Sequence, residues 1–543
     1  MSERLRLERA AFGAPGSLGS RFAAGDPAAV DLFPSSLRAP GSSGDGAGAS
    51  TLPPSCESPT LSAEVFGTSS PEPAAKLRSI LAGEGALVTT GQQPCLFLGP
   101  LYVVYKAMTA IRLAATLERE LGRPMLALFW VASDDHDWRE VGATQLIDTS
   151  NTLRNFRLNP PEGREQRSVG QTMLDSSIES LLVEVREALP QSEFIDCYLE
   201  LFGDAYRPGR SIGHAFGDAL TGVLEGRELV WLDSAAPEVK RALAPLHTRA
   251  LRHATSAAEA VAGSTDRVRE AGFEPQLALP GGASNVFYDD GSARRRIYVE
   301  GDVARLGKQG GERPLAEMLA EIERSPEAFG PSAALRPVAE SCLLPVSASV
   351  LGPAEVAYWA QLPGLFEWAG IGMPRTVPRT GWTAIEAKVA RVLDALELAP
   401  AELSDGGAEV VERSVRGGRP EAVARALEEA ETAREGAFDR ILEALSAEIP
   451  GIRATAEKAR AGARKAARQL EKAVDTSVLE RQSVLSRKIE KTALHLYPAG
   501  IPQERILNPL YYLARYGPEF LESLDREVET AVEEYVARPD TAL

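Results

Sequence analysis

The stretch ALVTTGQQPCLFLGPLYVVYKAMTAIRLAATLERELGRPMLALFWVASDDHD, Ala86–Asp137, decides the fold class. Ala86–Thr90 is a short apolar, β-branched run that ends at Gly91. A turn-rich segment, Gly91–Pro100, follows it. Leu101–Leu121 then reads as a helix, with apolar residues at Val104, Met108, Ile111, Ala115 and Leu117. Gly122-Arg123-Pro124 stops that helix. Met125–Ala132 is an almost unbroken apolar run, the mark of a strand buried on both faces. Strand, loop, helix, strand is the βαβ unit of a parallel sheet, so the chain is expected to be an α/β protein. Leu229–Leu232 and Leu343–Val350 are further strand candidates, although Pro345 argues against a central place for the second. Asn285–Tyr288 and Arg296–Glu300 flank Asp290-Gly291 as a β-hairpin.

The flanks differ in texture. Residues 1–75 are rich in Gly, Ser, Pro and Ala, and Pro40–Ser50 has the composition of a flexible linker, so weak order and no chemistry are expected there. From Arg419 onward, Glu421–Glu448 and Ile452–Leu496 are long helical runs broken at Pro450-Gly451. Ala456, Ala459, Ala463, Ala466, Leu470 and Ala473 alternate in steps of three and four, the pattern of a coiled-coil seam of small residues. The first arm is acidic and the second basic, which favours an antiparallel hairpin. The expected division is 1–75, a core over 76–400, a helical coiled-coil domain over 401–500, and a segment over 501–543 that packs back on the core.

Of 543 residues, 59 are Lys or Arg and 76 are Asp or Glu, for a net charge of −17. So acidic a chain is a poor general binder of nucleic acid. No apolar run is long enough to span a membrane, and the N-terminus lacks the apolar stretch of a secretory signal. The four cysteines (Cys56, Cys95, Cys197, Cys342) and five histidines are scattered, which argues against a zinc site or a disulfide framework and for a cytoplasmic setting. No metal site is expected.

Two loops carry candidate chemistry. Gly91, Gln92 and Gln93 leave the first strand, and Gly99, Pro100 and Tyr102 open the next helix, whose free N–H groups suit an anion. Lys106 would add positive charge if its side chain pointed back. The loop is neither a Walker loop nor a dinucleotide fingerprint. After the buried strand come Asp134, Asp135, His136 and Asp137, at the strand end that lines the crevice of an open parallel sheet. Crowded carboxylates and an imidazole perturb one another's ionisation, as active sites do. His136 is a candidate general base; helix capping is the alternative role for these aspartates. A DDHD run also occurs in His-Asp metal phosphohydrolases, but those need further histidines that this chain does not place suitably.

The strand, Gly-Pro, helix order recurs at Gly352, Pro353 and Glu355, followed by Tyr358. Arg375 and Arg379 sit in a proline-stiffened loop, where arginine suits bidentate carboxylate or phosphate recognition or pairs with surface acids. Asn508 and Tyr512 belong to an aromatic, amide-bearing patch that either stacks a purine or packs on the core.

Taken together, Thr90–Lys106, Leu128–Val141, Leu343–Leu362, Met373–Arg379 and Gln503–Gly517 resemble, in order and spacing, the bacillithiol-synthesis cysteine-adding family BshC. The resemblance runs over roughly residues 75–534. It implies a Rossmann-like core of the nucleotidyltransferase type with connecting insertions, and a C-terminal coiled coil that forms a homodimer. It also implies a ligase joining L-cysteine to glucosaminyl-malate. An amide does not form readily from a free carboxylate, so activation is expected. ATP with Mg is one route, which the sequence does not show. Family members usually carry Glu where Asp134 stands and Gly where Cys95 stands. Another amino-acid or sugar ligase, or a non-enzymatic scaffold built on the coiled coil, are the alternative readings.

Overall fold

The computed structural model describes residues 5–34, 61–68, 70–160, 167–278, 282–307 and 310–538. The Pro40–Ser50 run and Cys56 lie outside them. The chain divides into two compact units, one of residues 7–383 and 504–543, the other of residues 2–6 and 384–503.

The first unit is built on a six-stranded sheet of β1 (Gly67–Thr68), β2 (Ala86–Gln92), β3 (Met125–Val131), β4 (Leu229–Asp233), β5 (Val346–Leu351) and β6 (Arg375–Pro378), in the order β6-β5-β2-β3-β4-β1. All neighbours are parallel except β1, which runs antiparallel to β4. β2 and β3 pair from Ala86↔Met125 to Gln92↔Val131, and all seven residues of β3 are buried. That two-faced burial explains its unbroken apolar run. The chain moves from β2 outward to β3 and β4, then returns to lay β5 on the other side of β2. The strand order therefore reverses between β2 and β5, and in open α/β sheets the ligand crevice lies at that point, outside the strand carboxyl ends.

The helix after β2 is Tyr102–Leu121, closed by Gly122 at φ 63°. Its apolar face is broader than the periodicity showed, and Ala115 faces solvent. Leu343 and Leu344 are not part of β5: Leu335–Leu343 is a helix and the strand begins at Val346. Pro345 thus lies ahead of the strand, where its carbonyl accepts from Leu87 N at 2.8 Å, so it does not prevent β5 from being internal. The hairpin is present as Ala283–Asp289 and Arg294–Glu300, within a five-stranded antiparallel sheet.

The expectation of weak order before residue 75 needs correction. Leu5–Arg9 is a strand, and Leu18–Ala23 and Pro27–Val30 are helices capped by Ser17 and Asp26. Leu18, Phe22, Ala29 and Leu32 are buried in the main core. Apolar side chains spaced between the glycines anchor this segment, which composition alone conceals.

In the second unit, Ala387–Leu396 packs with Ser483–Leu496 around Val389, Leu393, Ile489 and Ala493. Glu421–Glu448 and Arg453–Arg481 are paired helices. Their seam differs from the expected one. Ala456, Arg460, Ala463, Ala467, Val474 and Val478 are half-buried or buried, whereas Ala459, Ala466 and Ala473 are exposed and Leu470 is 60% exposed. Alanine stripes on neighbouring faces differ little in burial, so charge decides the register. Glu435 accepts from both Arg460 and Arg464, and Arg419 holds Asp475 and Glu471. Among the described residues, no helix is long and apolar enough to cross a membrane.

Candidate active site

Lys106, one turn into the helix that follows β2, is the centre of the crevice at the switch point. Its side chain is 2% exposed. The ammonium donates to Glu355 Oε2 at 2.6 Å and to the Gly91 carbonyl at 2.5 Å, with Gln92 Oε1 at 3.4 Å. Burial pushes its pKa down, and Glu355 opposes that. Glu355 is also tied to its own helix start, accepting from Gly352 N at 2.7 Å. Lys106 therefore joins the ends of β2 and β5 and is not turned toward the Gly99-Pro100 helix start.

That helix start is sealed by protein. Leu101 N donates to Leu507 O at 2.8 Å. A Cβ on Gly99 would come within 2.5 Å of Thr144 Oγ1 and 2.8 Å of Asn508 Nδ2, so the glycine admits neighbouring side chains. Asn508 Nδ2 donates to Phe97 O at 2.9 Å and Thr144 Oγ1 at 2.7 Å, and its Oδ1 accepts from Leu510 N at 2.8 Å. Tyr512 is buried, lying at 20° to the rings of both Tyr516 and Phe520. Asn508 and Tyr512 thus hold the C-terminal segment against the loop, and Gly99 and Pro100 belong to that packing. Pro353 is covered in the same manner: a Cβ on Gly19 would meet its carbonyl at 2.7 Å. Cys95 is buried at φ −65°, a conformation that any residue adopts, so a glycine is not needed at this position. Burial pushes its thiol pKa up.

The four residues after β3 separate into different roles. Asp134 is buried and accepts from Lys240, whose ammonium also donates to Phe329 O at 2.8 Å. Asp137 caps the Trp138–Val141 turn, its Oδ1 accepting from Arg139 N at 3.1 Å and Glu140 N at 3.3 Å, which fits the capping role. Asp135 and His136 face the crevice. Asp135 Oδ2 accepts from Gln93 Nε2 at 2.7 Å, and Oδ1 accepts from His136 N at 2.8 Å with His136 Nδ1 at 3.2 Å. Burial alone would raise the Asp135 pKa, but His136 and the buried Arg294 guanidinium outweigh it and hold the carboxyl well below the usual range.

Arg379 of the proline-stiffened loop lies over the Tyr102 ring at 5.6 Å. Arg379 is 3% exposed and forks onto Glu504 at 2.5 and 2.9 Å, so the carboxylate it was expected to recognise is the chain's own. It lines a separate cavity of about 270 Å³. Arg375 lies in β6 beneath the Tyr535 ring. Tyr358 accepts from Arg336 Nη2 at 3.0 Å.

Several charged residues escaped motif reading. Lys240, Arg294 and Arg336 are brought in from remote segments and bear no local signal, whereas Glu504 lies within the Gln503–Gly517 stretch without having been singled out there. Glu340 has one buried oxygen without a hydrogen-bond partner, and burial pushes its pKa up to about 7. Glu140, three residues beyond Asp137, lies 3.4 Å from Gln92 Nε2, which also reaches Tyr102 Oη at 3.2 Å. Among the described residues no group of three or more His, Cys, Asp or Glu side chains is arranged to hold a metal ion. The crevice instead offers carboxylates beside Lys106 and the exposed Arg505, a set suited to a ligand carrying both amino and carboxyl groups.

Fold and site define a doubly wound α/β protein with a polar crevice at its switch point and an added helical hairpin. Residues 62–380 match the family described as "Bacillithiol biosynthesis BshC, N-terminal Rossmann-like domain", and residues 382–535 match "Bacillithiol biosynthesis BshC, C-terminal coiled-coil domain". The chain belongs to the BshC family. Among its relatives, proteins named "Putative cysteine ligase BshC" from Salinibacter ruber, Symbiobacterium thermophilum and Koribacter versatilis are 30%, 32% and 31% identical to it. The matches span 82%, 82% and 86% of this chain and 81%, 82% and 86% of the relatives.

Proposed function

We propose that this chain is the ligase that joins the carboxyl group of L-cysteine to the amino group of glucosaminyl-malate, forming bacillithiol. The observation that carries the reading is the match along four-fifths of the chain to relatives named as cysteine ligases, with Asp135, Gln93 and Lys106 gathered at the switch point. Asp135 and His136 handle the sugar amine, since a carboxylate that stays ionised attracts an ammonium group. Lys106 and Glu355 brace β2 against β5 beneath the substrates. The cysteine carboxyl needs activation as an acyl phosphate or adenylate, for which ATP with Mg is the proposed source. The protein works in the cytoplasm as a homodimer through the outer face of the hairpin, where Leu470 is 60% exposed. The test is deletion of the gene in cells that contain bacillithiol. Loss of the thiol and its return on complementation support the reading; unchanged thiol with glucosaminyl-malate not accumulating refutes it.

A further inference from the structure

At the end of β2 two neighbouring glutamines each donate to a carboxylate. Gln93 donates to Asp135 at 2.7 Å, and its neighbour Gln92 reaches Glu140 at 3.4 Å. Asp135 also accepts from the His136 N–H and lies in the field of Arg294, so it remains an anion. Glu140 has no ion-pair partner among the described residues. Burial raises its pKa above the usual carboxylate value, and the nearby carboxylates of Asp137 and Asp135 raise it further, while Arg505 and Lys106 pull it back. Glu140 lies in the Asp137-capped turn, its carboxylate partly screened beside Gln92 while the residue keeps an exposed surface. Paired carboxylates whose environments push their ionisation apart divide the work: the stronger acid stays charged and binds, and the weaker acid takes the proton.

We propose that Glu140 is the proton acceptor for the attacking amine and that Asp135 is the anion that holds the amine in place. This rests on the ligase reading above. In the step, the ammonium gives one proton to the Glu140 carboxylate, which frees the nitrogen lone pair. Nitrogen attacks the carbonyl carbon of a cysteinyl acyl donor, a carboxyl activated with a phosphoryl or adenylyl group from a nucleoside triphosphate. The C–N bond forms, the C–O bond to the activating group breaks, and the phosphate leaves with that electron pair. The second N–H proton passes to water.

The test uses the purified full chain with L-cysteine, glucosaminyl-malate, ATP and Mg²⁺, with the product thiol measured by mass spectrometry. Glu140→Gln keeps shape and the contact with Gln92 but cannot take the proton. It is expected to lower kcat by about 10²-fold while KM for the amine stays within about threefold. Asp135→Asn is expected to act mainly by raising that KM. Added acetate should restore part of the rate to Glu140→Ala and none to Asp135→Ala, a response that a merely structural role would not produce. The acid limb of the kcat profile should be lost in Glu140→Gln. An active native enzyme together with native kcat in folded Glu140→Gln overturns the assignment and leaves the ligase reading standing. A native chain that makes no thiol from these substrates removes both.

Discussion

Replacing Arg379 by alanine tests whether this arginine supports the fold or binds substrate. In the structure its guanidinium makes two hydrogen bonds to Glu504, at 2.5 and 2.9 Å, and a third to Thr380 O at 3.0 Å. The two side chains are 3% and 6% exposed. Arg379→Ala would leave the Glu504 carboxylate buried with both of these donors gone, and breaking such a pair costs about 3–5 kcal/mol. At about 1.4 kcal/mol per factor of ten, the folded-to-unfolded ratio should fall at least 10²-fold. Arg379→Lys should recover only part of the loss, because an ammonium cannot reproduce the planar fork. The double variant Arg379→Met/Glu504→Leu removes both charges and should cost less than Arg379→Ala. Urea unfolding followed by tryptophan fluorescence gives the midpoints, and hydrogen exchange over residues 375–383 and 504–512 locates the effect. An unchanged midpoint with a raised substrate KM in Arg379→Ala would refute the argument and return Arg379 to the binding site.

Asp135→Asn and His136→Ala should each cut bacillithiol formation at fixed substrate by about 10²-fold without a change in circular dichroism; native rates in either would exclude that residue from amine handling. Burial sets Glu340 at about 7 against an ordinary 4.5, so between those pH values the folded chain holds a proton that the unfolded chain has lost. Its contribution to stability therefore declines as pH rises from about 4.5 to about 7 and levels off above. Glu340→Gln should raise the urea midpoint at pH 8 and leave it nearly unchanged near pH 4.5, and an equal effect at both pH values would contradict this sign. Sedimentation equilibrium at micromolar concentration should give a dimer mass that falls to monomer in Leu470→Glu, whereas a monomeric native chain would exclude the dimer.

Short-range rules were enough for the sequence to determine the βαβ start and the first helical arm, whereas the second, expected over Ile452–Leu496, breaks at Gln482 into Arg453–Arg481 and Ser483–Leu496. Met125–Val131 is apolar because both faces of β3 are covered, and Glu421–Glu448 ends where Pro450-Gly451 follows. These signals depend on periodicity and stop residues within a few positions. The crevice was also legible in outline, since Gln92, Gln93 and Asp135 sit where strand ends must lie. The assignment of individual side chains was not. Lys106 meets Glu355 249 residues away, Arg379 meets Glu504 125 residues away, and Asp134 meets Lys240 106 residues away. A motif shows that a charged group is present, but whether a partner from a distant segment neutralises it depends on which elements pack together. Asp137 became a cap, Asn508 and Tyr512 became packing, and Glu140 kept no ion-pair partner among the described residues for that reason. The coiled-coil seam moved off Leu470 because alanines on adjacent faces are nearly equivalent, and the ion pairs that Glu435, Asp439 and Arg419 make with the facing arm distinguish one register from the other. Local sequence thus determined which elements form, and tertiary structure decided which charges remain available for chemistry, because pairing depends on distance in space and not along the chain.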